Sequence, residues 1–348
     1  MAETPRAYLD WNASAPLRPE ARAAMAAALE VTGNPSSVHA EGRAARALIE
    51  RARAQVAAAL GAEGADIVFT SGATEAAALA LAGRGLACAG IEHEAVAAWC
   101  APSLPTDRDG QVTVPEPGRA TLQIANSETG LLQNLPEGLA VSDLTQGFGR
   151  IPLAFNWLGC DMGFVSAHKL GGPKGVGALV LRRGLDLAAQ LKGGGQEMGR
   201  RAGTENIPAI AGFGAAAEAA ARDLADGVWD EVAEVRNILE SALDSGESST
   251  IIVGKGRARL PNTTCLVTPG WKGETQVMLM DLAGFAVSAG SACSSGKVRP
   301  SRVLEAMGFN ATAAASALRV SIGPGVARDT VLRFAEAWTA QARRRRAA

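Results

Sequence analysis

The chain has 348 residues, 47% of them hydrophobic, enough for one large domain with a satellite or for two domains that each bury a core. Its 34 Lys and Arg against 35 Asp and Glu leave a net charge of −1, which points to neither a nucleic-acid nor an anionic-membrane partner. No stretch approaches the ~18 uninterrupted apolar residues of a spanning helix, Met1 to Arg6 lacks the charged start of a targeting segment, and five widely spaced cysteines suggest neither a disulfide framework nor a zinc site. A globular, soluble, cytoplasmic protein is the expectation.

In chain order, Ala7 to Pro16 reads as a short strand broken by turn residues, and the alanine-rich stretch from Arg18 to Leu29 reads as a helix. Gly33-Asn34-Pro35-Ser36-Ser37 is a loop. Ala, Arg and Leu at helical spacing then predict a helix from His39 to Leu60, stopped by Gly61 to Gly64. Asp66 to Thr70 is a strand, and the turn Ser71-Gly72-Ala73-Thr74-Glu75 opens a helix rich in Ala and Leu. A strand, a turn of small residues and a helix N-terminus gather free N–H groups and positive potential at one point, which suits a phosphate; an ordinary capped helix start looks the same in sequence. Leu122 to Ala125 is a buried strand ending at Asn126-Ser127-Glu128-Thr129-Gly130, and Ala140 to Gln146 ends another with Asp143. The stretches 86–92, 106–123 and 133–142 leave little room for crossover helices, so short loops or helices of a turn or two are expected there.

From Asp161 to Leu179 an apolar run delivers Ser166, His168 and Lys169 to a turn that four glycines keep open. A lysine beside small and hydroxyl residues can lose enough hydration to act as a neutral amine toward an aldehyde, although most loop lysines are simply solvated. Ile207 to Leu243 reads as two helices joined near Asp226-Gly227, the second leading into a smaller domain with a strand at Leu260 to Val267. Cys293 lies among the smallest residues, followed by Lys297 and Arg299, a setting that favours a thiolate. Arg319 sits in an apolar strand, where a bidentate carboxylate partner would offset the cost of its burial. Arg343 to Arg346 reads as a solvated, frayed tail.

Ser166-Ala167-His168-Lys169 followed by Gly172-Pro173-Lys174-Gly175-Val176-Gly177 resembles the cofactor-lysine segment of the cysteine desulfurases, pyridoxal-phosphate enzymes of the aminotransferase-like fold. The turn around Ala73 and Thr74, Glu92-His93-Glu94-Ala95-Val96, Asp143-Leu144-Thr145-Gln146, Gly203-Thr204-Glu205-Asn206, Gly290 to Ser295 and the strand around Arg319 match that family in the same order. The resemblance implies an α/β, fold-type I architecture: a large domain at 13–225 with a mostly parallel central sheet, and a smaller α+β domain from 1–12 and 226–348. It implies pyridoxal 5'-phosphate held by Lys169, with Ala73 and Thr74 at its phosphate, His93 on the ring, Asp143 at the ring nitrogen, Gln146 at the phenolic oxygen, and Ser166 and His168 nearby. Ser127 stands where the family usually has Asn, so Asn126 or water is expected to share that role. Arg319 would hold the substrate carboxylate, with Asn34 near the substrate, and Cys293 would take sulfur as a persulfide on a loop like that of the longer-loop branch. Thr204 would reach the opposite subunit's phosphate, making a homodimer.

The implied reaction converts L-cysteine to L-alanine and passes sulfur to an acceptor or iron–sulfur scaffold protein. A selenocysteine lyase would use the same site without needing Cys293, and another aminotransferase-like enzyme would use a keto acid. From a different class, an inactive trimmed paralogue would serve as an interaction scaffold, a reading in which the shortened middle and Ser127 find a reason.

Overall fold

The computed structural model describes residues 6–246, 249–290 and 300–347. After the short strand β1 (Ala7–Tyr8) come α1 (Pro19–Leu29), opened by a proline in its first turn, and α2 (Ala40–Ala59), whose first turn is capped by His39. In α2 the buried positions Ala45, Ile49, Ala52 and Val56 recur every three or four residues and form one apolar face.

The central sheet is built from β2 (Asp66–Thr70), β3 (Ala87–Ala89), β4 (Ala101–Leu104), β5 (Leu139–Asp143), β6 (Cys160–Ser166) and β7 (Gly177–Leu181), with α3 (Ala73–Leu81) and α4 (Glu94–Ala97) between the early strands. β7 lies between β2 and β6 and runs against both, and β6 pairs in parallel with β5. Beyond β5, Leu122 and Ile124 donate their N–H groups to Val141 and Asp143, and Thr121 donates to Ala87, so the segment 121–124 joins β5 to the parallel pair β3–β4. Only β7 runs opposite to the rest, in agreement with the mostly parallel sheet expected from the sequence.

The pleat of β2 divides the core: Ile67 and Phe69 face one side with Phe213 and the first two helices, while Val68 faces the other with α3. The long helix α5 (Ile207–Ala225) packs against α1 and α2 at close range. A Cβ on Gly212 would meet Met25 at 2.6 Å, and one on Gly214 would meet the Ala52 backbone at 2.6 Å.

The crossovers in the middle are short in both of the expected forms: the one-turn α4 joins β3 to β4, and loops fill the rest. Residues 105–120 contain one 3-10 turn at Pro117–Arg119; β3 lies in the 86–92 stretch that reads as a connection, and β4 lies where the sequence predicts no element. With three and four residues and no β-branched enrichment, those strands leave little trace in the sequence.

The remaining elements are α6 (Val228–Gly246), β8 (Ile251–Ile252), β9 (Thr263–Val267), α7 (Gly273–Leu282), β10 (Phe285–Ala286), β11 (Ser288–Ala289), α8 (Arg302–Ala306), α9 (Ala311–Ala314), β12 (Ala317–Ser321) and α10 (Arg328–Ala347). β11, β12, β9 and β8 form an antiparallel sheet, while β1 pairs with β10. Ala7 and Leu9 share one hydrophobic core with Trp229, Phe285 and Trp338, whereas a separate cluster of Ala89, Ile91 and Leu131 with Cys265 and Val303 joins this part to the central sheet. Arg343 to Arg346 are exposed but not frayed: they end α10, where basic groups complement the negative end of the helix.

Candidate active site

Parallel strands release their C-terminal ends on one edge of a sheet, where crevices form. Thr70, Asp143 and Ser166 end β2, β5 and β6, and the 3-10 turn Ala167–Lys169 follows directly. Over this edge lies a cavity of about 710 Å³ that also reaches Asp10, Ser288 and Arg319 of the smaller part. It gathers Ala73, Thr74, His93, Ser127, Asp143, Gln146, Ser166, His168, Lys169 and Arg319, ten of the residues picked from the sequence.

At one end of the cavity, α3 begins at Gly72, which has no side chain to cap the first turn. The backbone there is tightly fitted, since a Cβ on Gly177 would stand 2.5 Å from the Val165 carbonyl oxygen and 2.8 Å from Gly72. Uncapped N–H groups at a helix start attract an anion.

Lys169 Nζ donates to the carbonyl oxygens of Asn12 at 2.7 Å and Ala13 at 2.9 Å. His168 Nδ1 lies 3.3 Å from Ser14 Oγ, and its imidazole is pushed down to about 4, mainly by burial and then by Lys169, Lys174 and Arg150. Asp143 accepts the Thr145 N–H at 2.8 Å. Desolvation raises its pKa, opposed by the Thr145 hydrogen bonds and by the charges of His93 and Lys169. His93 Nδ1 accepts the Ala95 N–H at 3.1 Å, which leaves Nε2 as the nitrogen that carries the proton in the neutral ring.

At the opposite end, Arg319 Nη2 donates to Asp10 Oδ1 at 2.7 Å and Nη1 to the Ser127 carbonyl oxygen at 3.0 Å. Beside it, Glu128 accepts from Ser301 Oγ at 2.5 Å. Burial raises Glu128 to about 7 against the opposing effects of Ser301, Arg319, Arg302 and His93.

Three residues picked from the sequence do not reach the cavity. Asn34 is exposed, its Oδ1 accepting the Ser36 N–H within its own turn. Asn126 Oδ1 accepts from the N–H groups of Glu128 and Thr129 and from Thr129 Oγ1, while Nδ2 donates to Ile91 O, so its side chain builds the turn that presents Ser127. Thr204 is exposed on a separate cleft of about 190 Å³ with Arg201, Glu205 and Asn206. The glycine-rich loop before it is anchored, because the buried Glu197 carboxylate takes the Phe69 N–H at 2.8 Å and the Arg53 fork at 2.8 and 3.0 Å. Arg200 pairs with Asp66 and Arg201 with Glu75, each at 2.8 Å, which accounts for the Arg-Arg pair. Cys293 lies outside the described residues.

Four residues at or below the cavity escape a reading of the sequence: Asp10, Glu92, Glu128 and Arg150. Glu92 is buried, with Oε1 on the Gln123 N–H and no hydrogen-bond partner for Oε2 among the described residues, and desolvation holds its pKa well above the ordinary range. Each stands next to a recognisable motif, and the signal that could have found them is a charge inside an otherwise apolar or turn-forming stretch.

The aminotransferase class-V family profile matches residues 7–98 and 121–334, and the gap falls on β4 and the short crossover after it. A cysteine desulfurase of Cereibacter sphaeroides is 39% identical over 91% of this chain and 90% of its own length. The cysteine desulfurase IscS of Dictyoglomus turgidum is 36% identical over 91% and 89%. Among solved structures, a NifS-like protein from Rickettsia africae superposes with a TM-score of 0.87 at 30% identity, covering 96% of this chain and 98% of that one. Class-V aminotransferases and cysteine desulfurases depend on pyridoxal phosphate, and the site fits that group: an uncapped helix start for its phosphate, a carboxylate at a strand end for its ring nitrogen, and a lysine for its aldehyde. With the profile spanning most of the chain and relatives matching nearly end to end, the chain belongs to the aminotransferase class-V family, among its cysteine desulfurases.

Proposed function

We propose that the chain converts L-cysteine to L-alanine and leaves the sulfur on Cys293 as a persulfide. The substrate C–S bond breaks, an S–S bond forms to the Cys293 sulfur, and the substrate β-carbon gains a proton. The observation that carries this reading is the convergence of Lys169, Asp143, the open start of α3 and Arg319 on one cavity. Gly290 and Pro300, which flank the segment bearing Cys293, also line it.

When bound, pyridoxal phosphate supplies an aldehyde for an amine and an electron-withdrawing ring. The first turn of α3, at Ala73 and Thr74, holds the phosphate. Asp143 would hold a proton on the ring nitrogen through a charge-assisted hydrogen bond, and Gln146 would meet the phenolic oxygen through Nε2, which also donates to Asn12 O at 3.1 Å. Lys169 provides the tethering amine. His93 would lie against the ring and would exchange protons at Nε2. Arg319 aims the substrate through its carboxylate, so that the sulfur faces the Cys293 segment.

A homodimer is part of this reading, supported by the exposure of Thr204 away from the chain's own cavity, as expected of a residue that completes the opposite phosphate site. The division at 13–225 is supported by the separate hydrophobic core that Ala7 and Leu9 share with residues beyond 228. A sulfur-acceptor or iron–sulfur scaffold protein is the onward partner. Among the described residues no helix is long and apolar enough to cross a membrane.

The test is to incubate the purified, cofactor-loaded protein with L-cysteine and to measure alanine together with the persulfide on Cys293. Equal amounts of the two in a first turnover are expected. A loaded protein that yields neither from L-cysteine, with or without a thiol acceptor, overturns the reading. Preference for selenocysteine without need of Cys293 would instead favour a selenocysteine lyase.

A further inference from the structure

Beneath the cavity, Arg150 is buried at 1% exposure. Its Nη1 donates to Asn12 Oδ1 at 2.7 Å and to Gln146 Oε1 at 2.6 Å; its Nη2 donates to Lys169 O at 2.9 Å and to Trp11 O at 3.2 Å. All four acceptors are neutral, and among the described residues no acid pairs with the guanidinium. Burial and the charge of Arg319 push it down to about 9. A buried cation without a carboxylate is costly, and an apolar side chain could fill the same space without that cost.

Three of the four bonds lead to Lys169. Arg150 fixes the Lys169 backbone directly, and it fixes the amine through Asn12, whose carbonyl oxygen accepts from both Lys169 Nζ and Gln146 Nε2. We propose that Arg150 is a positioning residue for the lysine chemistry: it locks Asn12, Gln146 and Lys169 into one hydrogen-bonded ring, and its buried charge opposes a second positive charge on the Lys169 nitrogen.

This rests on the reading of Lys169 as the cofactor lysine. A lysine beside another cation in a desolvated site is held toward its neutral, nucleophilic form. The groups facing it are Arg150 from below, His168 and Lys174 from its own turn and the loop after it, His93 from the start of α4, and Asp143 from the end of β5. Arg319 adds positive charge toward Arg150 from the far side but is itself paired with Asp10, and Asp143 faces Lys169 as the opposing carboxylate. The field of Arg150 already reaches this turn, where it contributes to keeping His168 neutral.

The experiment titrates the visible absorption band of the bound cofactor in holoenzyme carrying Arg150→Lys or Arg150→Met. Lysine keeps the charge and loses the fork; methionine loses both. The expected result is an upward shift of the midpoint by about one pH unit or more in Arg150→Met, with Arg150→Lys staying within about 0.3 unit of the parent. A midpoint unchanged in Arg150→Met, or moved as far in Arg150→Lys, overturns the proposal. In the unaltered holoenzyme, a buried source of charge leaves the midpoint within about 0.2 unit between ~0.05 and ~0.5 M salt, whereas a shift of a full unit assigns it to exposed charges and overturns the proposal without any variant at this position. Lys169→Ala separates the two readings: if the titrating band survives there, it is the assignment of Lys169 that fails.

Discussion

Asp10 and Arg319 meet at the end of the cavity, Oδ1 to Nη2 at 2.7 Å, and Ser288 Oγ holds the second carboxylate oxygen at 2.7 Å. The acid follows β1 and the base lies within β12, so the guanidinium is aimed by the smaller part of the chain before a substrate arrives. Asp10→Asn is expected to raise the KM for L-cysteine about tenfold with a smaller change in kcat, because loss of one charge-assisted bond frees the guanidinium to turn. Steady-state kinetics decide this, and an unchanged KM would show that Arg319 needs no help from Asp10.

Lys169→Ala and Cys293→Ala should separate cofactor attachment from sulfur transfer. The first is expected to lose the visible band that depends on a lysine–cofactor link. The second should keep that band and lose alanine formation by a factor of at least about 10³, the effect of removing an essential nucleophile. Full sulfide release by Cys293→Ala would reassign the sulfur acceptor.

Gly177→Ala tests the phosphate end. The added methyl would press on the Val165 carbonyl and the Gly72 backbone, neither of which can rotate away. Stability should fall by about 1–3 kcal/mol as for overpacking, and cofactor affinity should fall with it as the Gly72 turn is displaced. Equilibrium dialysis of the cofactor alongside thermal unfolding checks both, and an alanine variant that binds as tightly as the parent would mean that the turn does not cradle the phosphate.

Glu128 gives the protein a pH-dependent stability of defined sign. Its pKa in the folded chain is raised to about 7 from an ordinary value of 4.5, so the folded state holds a proton that the unfolded chain has already released. Its contribution is full below pH 4.5 and is lost as the pH rises toward 7, by on the order of 2–3 kcal/mol. Glu128→Gln should flatten that decline relative to the parent when urea unfolding is compared at pH 5 and 8. Parallel declines in the two proteins would show that Glu128 does not titrate in this range.

Much of this was legible in the sequence because it is local. Asp66 to Thr70 followed by Ser71-Gly72-Ala73-Thr74 is a strand, a turn and a helix start in nine consecutive letters, and Ser166 to Lys169 is a single turn. What stayed hidden depends on contacts between distant segments. Asp10 matters because residue 319 comes to meet it, and Arg150 because Trp11, Asn12 and Lys169 close around it. Asn126 differs in where its side chain points: Oδ1 is taken up by its own turn and Nδ2 by Ile91 O, a matter of side-chain direction that composition does not carry.

Asn12 joins more than the hydrogen bonds of Lys169. Its side chain also bonds Asn262 and Thr263, and its N–H bonds Ser321 Oγ, so one amide stitches the sheet of the smaller part to the lysine of the larger. A change at the Lys169 nitrogen therefore has a hydrogen-bonded path through Asn12 to Thr263 in β9 and to Ser321 at the end of β12.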